Sequence, residues 1–277
     1  MNTANQTPRT AGQRLAWAGV VMLSGLVFVF LMAPVLAIIP LSFSAGSYLM
    51  YPLPGLSLRW YHEFLGSARW MMALRNSLVI GVSATVLAML LGTPAALGLA
   101  QWRSRYKPLV LAVVLSPMVV PVVITAVGLY FFFSPLGLTN SFPGLILAHT
   151  VLAVPFVVIT VSATLQGFDQ TLSRAAASLG APPLVAFRTV MLPLILPGIA
   201  SGALFAFATS FDEVVVVLFM AGPDQRTLPR EMFAGIRENI SPAITAAAAL
   251  LTLFSAALLA ALEALRRRGE RLRAGGN

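Results

Sequence analysis

Six long apolar runs, at about residues 15–41, 73–100, 108–133, 144–166, 195–221 and 242–263, constrain this chain more than any other feature. A bilayer core about 30 Å thick is crossed by roughly 20 apolar residues in a helix. Backbone polar groups in lipid must be satisfied within the chain, which favours helices or a closed barrel. The expected fold is therefore all-α: a polytopic membrane protein with six transmembrane helices. Only 10% of residues are charged and 58% are hydrophobic. A soluble domain carries about 25% charged residues, so that class is excluded. Arg9 and Arg14 precede the first run, as in a signal peptide. A signal peptide's apolar core is about 7–15 residues, far shorter than this run, so an uncleaved helix is expected.

The net charge of +9 does not point to nucleic acid, because the basic residues sit in short loops between apolar runs. That placement sets membrane orientation. With the N-terminus inside, the inner segments hold Arg9, Arg14, Arg103, Arg105, Lys107, Arg174, Arg188, Arg266, Arg267, Arg268, Arg271 and Arg273. The outer ones hold Arg59, Arg69, Arg75, Arg226, Arg230 and Arg237. Both termini are expected in the cytoplasm. The chain divides into an N-terminal segment 1–14, a membrane domain 15–265 and a basic tail 266–277.

Two outer segments are more than turns. In 57–72, Trp60, Tyr61, Phe64 and Trp70 suit the headgroup level. In 228–240, Leu228, Met232, Phe233, Ile236 and Ile240 recur at helical spacing between charged residues, which predicts an amphipathic helix on the outer surface. Either segment could anchor at the interface or dock an external partner. Pro34, Pro94, Pro117, Pro121, Pro155 and Pro197 lie inside the runs, where each removes a hydrogen bond and permits a kink. Pro117 and Pro121 are placed on one face of the third helix.

The segment 167–194 is too structured for a connector. Asp169 or Thr171 can cap a helix through Leu172, Ala175, Ala176 and Leu179. Gly180 can take the positive φ that ends it. Pro182 and Pro183 then open a second short helix with Leu184, Phe187 and Val190 on one side. Pro193 and Pro197 mark entry into the fifth membrane helix. The small alanines would let another protein's backbone approach closely.

These residues resemble the cytoplasmic loop of permease subunits of binding-protein-dependent ABC importers. That signature reads Glu-Ala-Ala, three residues, Gly, nine residues, Ile, one residue, Leu-Pro. The chain has Arg174, Ala175, Ala176, Gly180, Val190, Leu192 and Pro193 at those places. Val190 replaces Ile, and Arg174 reverses the charge of Glu. The likeness covers about residues 70–265. Ser210-Phe-Asp-Glu213, Ala221-Gly-Pro223, Leu228-Pro229, Ser241-Pro242, Leu58-Arg-Trp-Tyr61 and Leu74-Arg-Asn-Ser-Leu78 are similar to the second (C-type) permeases of spermidine/putrescine systems. The resemblance implies a translocation subunit in the bacterial inner membrane. It also implies a second permease subunit, two ATPase subunits below, and an external substrate-binding protein. Residues 172–190 would sit in a groove on an ATPase. The chain itself would need no cofactor, ATP being bound by the ATPase.

Its only lysine, Lys107, has no glycine loop around it, so a G-x-x-x-x-G-K-[ST] nucleotide cradle is excluded. Cysteine is absent, and His62 and His149 are far apart, so a metal site is not expected. No H-E-x-x-H or G-x-S-G occurs, and no enzyme activity is expected. Asp212 and Glu213 lie within the fifth run, in its outer half. A charge at such depth costs about 2.5–3.5 kcal/mol on insertion scales and normally faces a cavity or a partner. Either could attract a cationic substrate, or serve as a structural ion pair or helix cap contacting Arg75 or another outer arginine. His149, Asn76 and Ser77 read as structural hydrogen-bonding groups. An ion-gradient-driven carrier, or a permease for another solute such as an amino-acid-like compound, is the alternative. A carrier usually needs repeated halves, which the chain does not show.

Overall fold

In the computed structural model, residues 11–238 and 241–274 are described; Arg9 and Ile240 fall outside them. The described chain is helical, with one isolated antiparallel bridge between Ser44 and Leu56. In order the helices are α1 Ala11–Ser42, α2 Arg59–Gly66, α3 Ala68–Gln101, α4 Lys107–Val119, α5 Val122–Phe133 and α6 Phe142–Gln166. There follow α7 Gln170–Ser178, α8 Pro183–Ala186, α9 Leu192–Phe211, α10 Val215–Met220, α11 Leu228–Glu238 and α12 Ala243–Ala274. Among the described residues, five helices are long and apolar enough to cross a membrane, and six if α4 and α5 count as one span.

Two of the expected continuous spans are broken. The third bends by 107° between α4 and α5. Pro121 lacks the amide that would continue α4 and instead caps α5 with extended ψ, so it breaks the helix rather than kinking it. Pro117 stays inside α4. The fifth run ends as a helix at Phe211 and restarts at Val215. Helix α12 continues past its apolar span through the basic residues to Ala274.

The chain forms two compact units. One comprises residues 1–63 and 240–252. There Tyr61 Oη shares a 2.7 Å hydrogen bond with Ser42 Oγ, and Trp60 packs against Ala243 and Ala246. The other comprises residues 64–239 and 253–277, and is built on α3, α6 and α9. Gly198 and Gly202 let α9 lie directly on α6: a Cβ at 202 would stand 3.0 Å from the Cα of Val157. Ile195, Val157, Val161, Ala88 and Ala96 fill the core between the three. A second cluster joins α5, α6 and α10 through Ala126, Leu145, Val216, Val217 and Met220.

The helix expected in the second outer segment forms as α11, and both outer segments carry buried side chains. Trp60 and Phe64 are buried. In α11, Glu231 is only 2% exposed and pairs with Arg69, with Arg226 at 3.7 Å, while Phe233 and Ile236 are exposed. The helix is therefore tied inward through its acid. The loop before it is pinned by α3: Asn76 Nδ2 donates to the carbonyls of Asp224 and Arg226 at 2.8 and 3.0 Å. Ser77 Oγ accepts the Leu228 amide at 2.8 Å. Both residues are structural, as their type suggested.

Candidate functional site

Two places in the larger unit bring functional side chains into view, one at each end of α9. At its first residue is the loop 167–194. The Asp169 carboxylate accepts the Thr171 amide at 2.8 Å and caps α7, so Asp169 is the cap and Thr171 its partner. That hydrogen bond holds the Asp169 carboxyl below the usual carboxylate range. The cap is therefore intact at neutral pH and is lost only as pH falls through this lowered value.

Helix α7 ends in a Schellman turn. The Ala181 amide reaches the Ala176 carbonyl and the Gly180 amide the Ala177 carbonyl, both at 3.0 Å. Gly180 has φ +80°, the left-handed region that only glycine adopts freely. Leu179, at the turn, is 88% exposed. Leu172, Arg174, Ala175, Leu184 and Val185 are exposed as well.

The second short helix does not stand apart from the membrane span. It runs from α8 through a π turn, Phe187–Met191, directly into α9. Pro193 has no amide for the Thr189 carbonyl, and its ring crowds that position. The wider turn relieves this, with the Leu192 amide bonding five residues back to Phe187. Val190 and Leu192 are half-buried, Pro193 is exposed, and Phe187, Met191 and Leu192 pack on the α3–α6–α9 core. The loop is thus exposed on its α7 side and welded to the bundle on its α9 side. A cleft of about 280 Å³ lined by Gln101, Phe168, Arg174 and Met191 separates α7 from the end of α3.

At the other end, α9 stops with Asp212 as its C-cap. Helix C-termini carry partial negative charge and normally favour a cation. An acid here stacks like charge on like, against the interest of stability. Asp212 is exposed, and makes no ion pair among the described residues. Glu213 turns the other way: its Oε1 accepts the Val216 amide at 2.8 Å and caps α10. The neighbours thus divide into one free carboxylate and one cap, and neither meets Arg75. Beside the break, Phe207, Phe211 and Phe254 form a ring cluster with centroids 5.1 to 6.0 Å apart. His149 is buried on α6 with Nδ1 2.8 Å from Ser210 Oγ.

The sequence did not reveal the break itself. The available signal was a carboxylate just before a Val-rich run, and of the roles that pattern allows Glu213 takes the helix cap. Among the described residues no group of His, Cys, Asp and Glu could hold a metal.

The described residues form apolar helices long enough to cross a membrane, with an exposed helical loop continuous with one of them. The chain belongs to the family of binding-protein-dependent transport system inner membrane components, whose model matches residues 88–271. It is 30% identical over 241 residues to the spermidine/putrescine transport system permease protein PotC of Escherichia coli K12, covering 87% of this chain and 91% of the relative. It is 36% identical over 245 residues to the putrescine transport system permease protein PotI of the same organism, covering 86% of each. A bacterial ABC transporter structure involved in import of the acidic polysaccharide alginate shares its fold, with a TM-score of 0.70 and 16% identity. That match covers 94% of this chain and 99% of the other. The protein is a multi-pass inner-membrane permease subunit of an ABC importer, a transport component rather than an enzyme.

Proposed function

We propose that this subunit imports a small organic cation of the spermidine/putrescine class, and that Asp212 meets that cation in the pathway. One observation carries the reading: an exposed carboxylate ends α9, where the helix already presents unpaired carbonyls and negative partial charge. A protonated amine offsets that charge, and the neighbouring phenyl rings offer it a further attractive surface. The polyamine permeases among its relatives support the same substrate class.

Coupling follows from α9. Its first residue, Leu192, adjoins the loop and its cap is Asp212, so the two sites are joined by one helix about 30 Å long. Two ATPase subunits on the cytoplasmic side hold ATP and receive residues 172–190 in a groove. Their closure moves the loops of this subunit and of a second permease chain together, and opens the pathway outward to the external binding protein. This is alternating access around a site between two bundles. The basic residues Arg103, Arg105, Lys107, Arg174 and Arg188 support a cytoplasmic side for the loop and both termini.

The test is putrescine uptake by vesicles holding matched amounts of assembled complex. Asp212→Asn should lower uptake by roughly ten- to a hundred-fold, as expected for loss of one charge-assisted hydrogen bond. Unchanged uptake would remove Asp212 from the pathway.

A further inference from the structure

His149 does more than fill space on α6. It is fully buried, seven residues and about 10 Å in from the start of the helix. Its Nδ1 lies 3.1 Å from the Ser210 carbonyl oxygen as well as 2.8 Å from Ser210 Oγ. Its Nε2 is buried without a hydrogen-bond partner, so the ring's polar contacts are to Ser210. A carbonyl can only accept. The 3.1 Å contact to the carbonyl is a hydrogen bond only in the tautomer with its hydrogen on Nδ1, whereas the 2.8 Å hydroxyl contact suits either.

Ser210 is in the last turn of α9, where carbonyls lose their amide partners. In a continuous helix its carbonyl would accept the amide of Val214. Among the described residues that bond is absent, and the last backbone bond of the helix is from the Asp212 amide to Ala208 at 3.1 Å. The imidazole supplies the missing donor from a neighbouring helix. A buried carbonyl left bare would otherwise favour extending α9 into the Val-rich segment that follows.

We propose that His149 is a positioning residue for import: its Nδ1–H holds the Ser210 carbonyl, ends α9 there, and so fixes the Asp212 carboxylate at the helix terminus. This rests on the reading of Asp212 as the group that meets the cation. Asn and Gln separate the two ring nitrogens. His149→Asn places an N–H close to where Nδ1 stands, whereas His149→Gln carries it out to the Nε2 position.

Putrescine uptake is measured in vesicles holding matched amounts of the whole complex, with each His149 variant in the Asp212 and Asp212→Asn backgrounds. His149→Asn should import nearly as the unsubstituted complex does. His149→Gln should lose roughly ten- to a hundred-fold, chiefly through a raised KM, the range expected when one buried acceptor loses its donor. In the Asp212→Asn background that loss should largely vanish, because both changes act on the same group. Equal uptake by Asn and Gln, or a Gln defect of the same size in both backgrounds, would overturn the positioning role alone. An Asp212→Asn complex that imports putrescine normally would overturn both this role and the substrate reading.

Discussion

At residue scale, Asp212 and Glu213 carry the same charge but meet different surroundings. Glu213 spends its carboxylate on the Val216 amide. A glutamine keeps that acceptor and an alanine does not. Glu213→Ala should therefore destabilise the restart of the helix by about 0.5–2 kcal/mol, the usual cost of a lost N-cap. Glu213→Gln should stay close to the unsubstituted protein. The thermal unfolding midpoint of the purified complex reads the difference; an alanine variant as stable as the glutamine one would remove the cap. Asp212 makes no such bond among the described residues and its charge opposes the helix terminus, so neutralising it should not lower that midpoint. The buried Glu231 differs again, being held by Arg69 and Arg226 and serving to fix α11.

At the scale of elements, the loop between α6 and α9 depends on one glycine. Gly180 sits at φ +80°, where a β-branched side chain is strained whatever space surrounds it. Gly180→Val should break the Schellman turn and misdirect α8 relative to α7. Uptake should collapse while the protein still inserts at normal levels, because the change lies outside the membrane helices. Near-normal uptake at normal expression would contradict a coupling role for this turn.

The helices themselves were legible because hydropathy and length decide what crosses a bilayer, and the turn at Gly180 because its residue type allows few other uses. The interruptions were not legible. Pro121 reads equally as a kink or a break, and the packing of α5 and α10 around Ala126 and Val217 decides between them. The burial of Trp60 and Phe64, and the inward turn of Glu231, depend on partners distant in sequence that local periodicity does not show.

At the scale of the whole molecule, α9 is the element on which the proposed coupling rests. It rests on α6 through Gly198 and Gly202, packs its first turn into the core, and ends at a carboxylate about 30 Å away. In the proposed coupling, a push on the loop need not pass through a chain of side chains, because one helix reaches both places. Import of a small organic cation is the proposed function. Its most direct test is uptake and substrate-stimulated ATP hydrolysis by the reconstituted importer: both permeases, the ATPases and the external binding protein. The panel is putrescine, spermidine, a neutral amino-acid-like solute and molybdate. Stimulation and uptake with putrescine or spermidine alone is the expected result; selective response to the neutral or the anionic solute would contradict it.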